Sequence, residues 1–166
     1  MYKSVPCVPL PSVLIDHHKT EQIGVYFMFV NGHVFLVTKS FNIKFISIMN
    51  MQGREATEAE NGLNTTISAF TAHKINIETI VGNNKFEAVS KSLIPVHIEI
   101  LGDDEHEVDV ERLIRKVKES TIFDYQNIPY NKFPKLMVVS FLEANIICLN
   151  VLPKENVISK TLSTSA

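Results

Sequence analysis

I-G-V-Y-F-M-F-V-N-G-H-V-F-L-V-T, residues Ile23–Thr38, is the stretch whose reading decides the fold. Ile23–Val30 and His33–Thr38 are apolar, aromatic-rich and β-branched, the composition of strands at least half buried in a sheet. Between them stands Asn31-Gly32, two residues that tolerate positive φ and so favour the tight turn of a two-residue hairpin. A third run, Phe41–Met49, alternates Phe41, Ile43 and Phe45 with Asn42 and Lys44, which predicts a third strand and an antiparallel meander.

Working outward, Arg54–His73 turns to helical spacing, with Leu63, Ile67 and Phe70 as its apolar stripe and Gly62 as a possible break. Ile75–Val81 alternates as a strand and stops at Gly82. Asn83–Ile94 then reads as a helix capped near Asn83 or Asn84, and Val96–Leu101 as a strand ending at Gly102. A helix over Asp104–Ser120, a proline-marked loop over Ile128–Lys135 and a helix over Leu136–Leu152 complete the core. Residues 1–22, broken by Pro6, Pro9 and Pro11, read as an extended arm, and 153–166 as an irregular tail. The predicted fold class is α/β, a mixed five-stranded sheet flanked by helices. Three antiparallel strands come first, and two more join parallel to the first through right-handed crossovers. That is the arrangement of the ribonuclease H-like fold.

The helix D-E-H-E-V-D-V-E-R-L-I-R-K-V-K-E-S (Asp104–Ser120) places Val110, Leu113, Ile114 and Val117 on one face. Acids fill its first turns and bases its later ones, as the helix dipole favours. A solvated surface helix accounts for this pattern. A second reading notes that Glu111 flanks the apolar stripe with Arg115 and Lys118 at helical spacing from it. A carboxylate so placed is of use in metal-dependent phosphoryl chemistry on DNA. The last helix, Leu136–Leu152, is apolar nearly all round, which suits a core helix or half of a homodimer interface.

Composition narrows the classes. A chain of 166 residues can bury one substantial core, and 45% hydrophobic with 20% charged residues is ordinary for a globular domain. The net charge of −2 argues against a dedicated duplex-DNA binder and leaves any nucleic-acid contact to a local patch. Cys7 and Cys148 are far apart in sequence and unpaired with His at ligand spacing. His17-His18 would point opposite ways along an extended segment. Neither a zinc site nor a disulfide framework is expected, which fits a reducing intracellular setting, nuclear or cytoplasmic. No secretion signal is readable, because Pro6, Pro9 and Pro11 break the first residues, and no membrane span, because Ser140, Glu143, Asn145 and Asn150 interrupt the longest apolar run.

Four segments carry a family resemblance: M-F-V-N-G-H-V-F-L-V-T (Met28–Thr38), E-H-E-V-D-V-E-R-L-I-R-K-V-K-E (Glu105–Glu119), P-Y-N-K-F-P-K-L-M-V (Pro129–Val138) and L-N-V-L-P-K-E-N-V-I-S-K-T-L-S (Leu149–Ser163). In this order they resemble the integrase core of copia-like retrotransposon polyproteins, over nearly the whole chain. The resemblance implies a ribonuclease H-like core that cuts and joins DNA with three carboxylates and divalent Mg or Mn. Carried over by motif, those positions are Tyr26, Asn83 and Glu111, of which only Glu111 is acidic.

Two neighbouring divalent ions need shared carboxylate charge to offset their repulsion. A neutral phenol and a neutral amide do not supply it. The expectation is therefore a degenerate core, without cofactor and unable to transfer DNA strands. What could remain is weak, sequence-independent DNA contact through Arg112, Arg115, Lys116 and Lys118. Two alternatives stand beside it. One is a protein-interaction module that dimerises through helix 136–152. The other is an active enzyme whose metal site is rebuilt around Glu111, Asp103 and Asp104. Phe29 and Phe35 are expected in the core.

Overall fold

The structure is a computed structural model, and it describes residues 19–90, 96–102, 108–126, 129 and 133–151. Its centre is a five-stranded sheet in the order β3-β2-β1-β4-β5. The strands are β1 (Thr20–Val30), β2 (His33–Ser40), β3 (Ile46–Met51), β4 (Asn76–Asn83) and β5 (His97–Leu101). β1 pairs antiparallel with β2, and β2 with β3. β4 pairs parallel with β1, and β5 with β4. The meander followed by two parallel strands is the predicted topology. The hairpin turns where expected, at Asn31 (φ 49°) and Gly32 (φ 76°).

Helices cover both faces: α1 (Ala56–Ala72), the four-residue α2 (Glu87–Ser90), α3 (Val108–Gln126) and α4 (Lys135–Val151). On one face Leu63 and Phe70 of α1 close over Ile23, Val25, Leu36 and Ile80. On the other, Leu113 and Val117 of α3 and Val138, Leu142 and Ile146 of α4 close over Met28, Phe35 and Val37. The strands alternate between these two cores, so neither face is left open to water across the centre of the sheet.

Two glycines set how closely the helices approach. α1 runs unbroken through Gly62, where a Cβ would lie 2.6 Å from Leu36 Cδ2. The residue that weakens the helix locally is what lets it seat on β2. On the opposite face a Cβ at Gly24 would lie 2.7 Å from Val110 Cγ2, so α3 crosses β1 at this point.

Several boundaries differ from those read in the sequence, each for a tertiary reason. Phe41–Phe45 is a loop between β2 and β3, although its side chains alternate. Glu21, 1% exposed, accepts the N–H groups of Asn42 (2.9 Å, Oε1) and Ile43 (2.9 Å, Oε2) and folds this segment back. Lys44 completes the loop at φ 63°. β1 accordingly starts at Thr20, because Thr20 and Glu21 pair with Asn76 and Ile77 of β4. β4 runs through Gly82 to Asn83, since Gly82 pairs with both Val25 and Ile100.

α3 continues to Gln126, six residues past the predicted end at Ser120. Thr121 sits buried against α4 and returns its hydroxyl to Val117 O at 2.7 Å, which removes the polar penalty of continuing. The predicted helix Asn83–Ile94 is a short 3-10 turn, Asn84–Phe86, followed by α2, and residues 91–95 lie outside the described segments. Cys7, His17-His18, Asp103, Asp104, most of the arm and the tail also lie outside them.

Phe35 is in the core at 1% exposure. Phe29 is only half-buried, at the open end of β1, with the Arg54 guanidinium 4.1 Å from its ring centre.

Candidate functional site

Of the three positions singled out in the sequence, Tyr26 and Asn83 stand on adjacent strands, and Glu111 lies on the helix that crosses β1. Tyr26 follows Val25, whose register partner on the adjacent β4 is Gly82, and Gly82 precedes Asn83. Tyr26 lies two residues beyond Gly24, on the strand face crossed by α3, and is 9% exposed. Asn83 ends β4 in extended geometry, and its side-chain oxygen accepts the Lys85 N–H at 3.2 Å, capping the turn that follows. Glu111 belongs to the first turn of α3, next to Val110 at the crossing point, and its side chain is exposed. The topology thus pairs β1 with β4 next to these positions and lays the start of α3 across β1. Among the described residues no three His, Cys, Asp or Glu side chains are grouped as metal ligands.

α3 is oriented over this region by an ion pair that the sequence reading missed. Lys39 of β2 reaches Asp109 Oδ2 at 3.2 Å and the Asp109 backbone carbonyl at 3.4 Å, and Lys44 lies 3.9 Å from the same carboxylate. Asp109 was read only as one of the acids suited to the helix dipole. Its partner is 70 residues away, and nothing local in the sequence signals the pairing.

The hydrogen bond from Lys39, and then the Lys39 charge itself, hold Asp109 below the ordinary carboxylate range. A depressed folded value stabilises the fold above the unfolded value of about 4. That stabilisation is lost as pH falls through the folded value. Because the Asp109 side chain is 46% exposed, screening keeps the effect below about 1 kcal/mol. Chemical denaturation of the Asp109→Asn variant checks this. Its deficit against the parent chain should be full at pH 6 and shrink steadily below about pH 4.

The basic side chains sit on the outer side of α3. Arg112, Arg115 and Lys116 are exposed and Lys118 is half-buried, while Val110, Leu113 and Val117 point into the core. α4 is asymmetric despite its apolar composition. Val138, Leu142, Ile146 and Asn150 are buried, and Leu136, Ile147 and Val151 on the far side are 81%, 61% and 51% exposed. Among the described residues no helix is long and apolar enough to cross a membrane.

Comparison with solved structures matches the chain to the crystal structure of the catalytic core domain of BIV integrase. The TM-score is 0.58 and the identity 13%, over 86% of this chain and 90% of that one. No protein-family model and no curated protein matches the sequence. The likeness is one of architecture: a meander, two parallel strands and helices on both faces. The chain has the ribonuclease H-like fold of an integrase catalytic core.

Proposed function

We propose that the chain is a degenerate integrase core of the copia-like retrotransposon type. In this reading it has lost DNA strand transfer and keeps weak, sequence-independent contact with nucleic acid. The observation that carries the reading is the chemistry of the region where β1, β4 and α3 meet. Tyr26 brings a phenol on a nearly buried side chain, and the oxygen of Asn83 is engaged by the Lys85 N–H. Glu111 is the one carboxylate of the three positions carried over by motif. Paired divalent ions about 3.5–4 Å apart call for several shared carboxylate oxygens. These residues do not fit such a pair.

Arg112, Arg115, Lys116 and Lys118 support the nucleic-acid part of the proposal. Along a helix, positions four apart are separated by about 6 Å of rise, so Arg112 and Lys116 can meet phosphates without reading bases. The setting that goes with this reading is intracellular, nuclear or cytoplasmic.

Two assays test the proposal. Incubation with a DNA end substrate and Mg²⁺ or Mn²⁺ is expected to give no joined product. Fluorescence anisotropy should show DNA binding that weakens steeply with salt, as counterion release requires. The triple change Arg112→Gln, Arg115→Gln, Lys116→Gln should weaken it at least tenfold at low salt. Product formation would overturn the first part, and DNA binding unmoved by the triple change would overturn the second.

A further inference from the structure

We infer that the open edge of β3, overhung by α4, is a docking site for an extended peptide of another protein, which joins the sheet as a sixth strand. β3 ends the strand order, so among the described residues one side of its backbone has no strand partner. Phe45 directs its carbonyl inward, to Ser40 N at 2.9 Å, so the neighbouring Ile46 presents its N–H and C=O outward. The buried Asn150 side chain of α4 holds both of them. Its Oδ1 accepts the Ile46 N–H at 3.0 Å, and its Nδ2 donates to Ile46 O at 2.7 Å. A carboxamide here stands in for one residue of a missing strand.

The period of two then turns the backbone groups of Ile48 and Asn50 outward as well. Among the described residues nothing bonds to them there. β3, I-S-I-M-N-M, contains no charge and no proline, the devices that usually keep an edge from pairing. Beside this edge lies a groove of about 320 Å³ whose lining includes Ile46, Ile48, Glu143, Ile147 and Asn150.

The walls specify the occupant. Ile48 and Ile147 call for aliphatic side chains at alternate positions of the added strand. Glu143, the one charged side chain among the described residues of the lining, calls for a Lys or Arg among them. A second copy pairing β3 with β3 would bring in no cation to meet Glu143, because β3 has none. An extended segment of a different protein, aliphatic at alternate positions and carrying one basic residue, complements the groove. The inference is independent of the chemistry at Tyr26, Asn83 and Glu111.

Amide hydrogen exchange by NMR on the whole chain tests it. The probe is a synthetic nine-residue peptide alternating valine and threonine, with one lysine placed centrally. In the free protein the Ile48 and Asn50 amides should exchange at least tenfold faster than that of Ile46. Millimolar peptide should slow both at least tenfold, and the same peptide N-methylated at alternate nitrogens should not. Glu143→Lys should weaken the lysine peptide at least tenfold and favour its glutamate counterpart. Amides already protected in the free protein would overturn the inference. Protection that grows with protein concentration would assign the edge to a second copy, and constant protection to another segment of this chain. No slowing by peptide, or slowing indifferent to N-methylation, would overturn it equally.

Discussion

Replacing Glu21 by alanine is expected to destabilise the fold by about 3–5 kcal/mol, the largest effect of any single side chain considered. Glu21 is buried at the start of β1, and its carboxylate accepts three backbone N–H groups, from Gln22 at 3.0 Å, Asn42 at 2.9 Å and Ile43 at 2.9 Å. Hydrogen bonds to a charged acceptor contribute about 1.5–3 kcal/mol each, and the donors left behind must find water at the edge of a core. The loop they belong to carries Lys44, a cation beside Asp109, so its loosening also weakens the anchorage of α3. Glu21→Gln is the informative companion. It keeps one oxygen and turns an amide donor toward another donor, so it should lose about 2 kcal/mol or more. Guanidinium denaturation at unchanged m value measures both. A loss under about 0.5 kcal/mol for the alanine variant would show that the carboxylate does not hold the loop.

The second large effect belongs to Asn150. Asn150→Leu keeps the branched shape and adds apolar surface, yet it should destabilise the protein by about 2–4 kcal/mol. It strips Ile46 of both its outward partners, and the penalty is the desolvation of a buried N–H and a buried C=O. The same variant should expose a longer run of open edge on β3. Its aggregation on mild heating should therefore exceed that of an equally destabilised variant on α1. Thermal denaturation followed with light scattering reads both quantities. A stable, non-aggregating Leu variant would contradict the role assigned to the carboxamide.

Both residues show where sequence reading stopped. The hairpin was legible because its turn chemistry is local to Asn31-Gly32, and the parallel strands because alternation and crossover handedness are short-range rules. The five-residue loop after β2 was not. Phe41, Ile43 and Phe45 alternate as a strand does, and what bends them is a carboxylate about twenty residues earlier that itself read as part of an arm. In the sequence α3 reads as ending at Ser120. Ser120 and Thr121 in fact bond to Asn145 of α4, at 2.9 and 3.3 Å, and the helix continues beneath it.

The candidate site divides in the same way. Which residues occupy the three positions could be read by motif, and the topology sets Tyr26 beside Asn83 and lays the helix of Glu111 across β1. How α3 is held over it, through Lys39, Lys44 and Asp109, depends on contacts that no local pattern encodes.

A fold with Tyr26 and Asn83 in place of two carboxylates should lack the charge that a divalent ion needs. Calorimetric titration with Mn²⁺ tests it most directly, on the parent chain and on the double variant Tyr26→Asp, Asn83→Asp. Circular dichroism should first establish that the variant is folded. The expected result is no detectable binding by the parent chain, and binding in the micromolar to millimolar range by the double variant that the further change Glu111→Gln removes. Micromolar binding by the parent chain that Glu111→Gln abolishes would contradict it, and would mean that a metal site persists around Glu111.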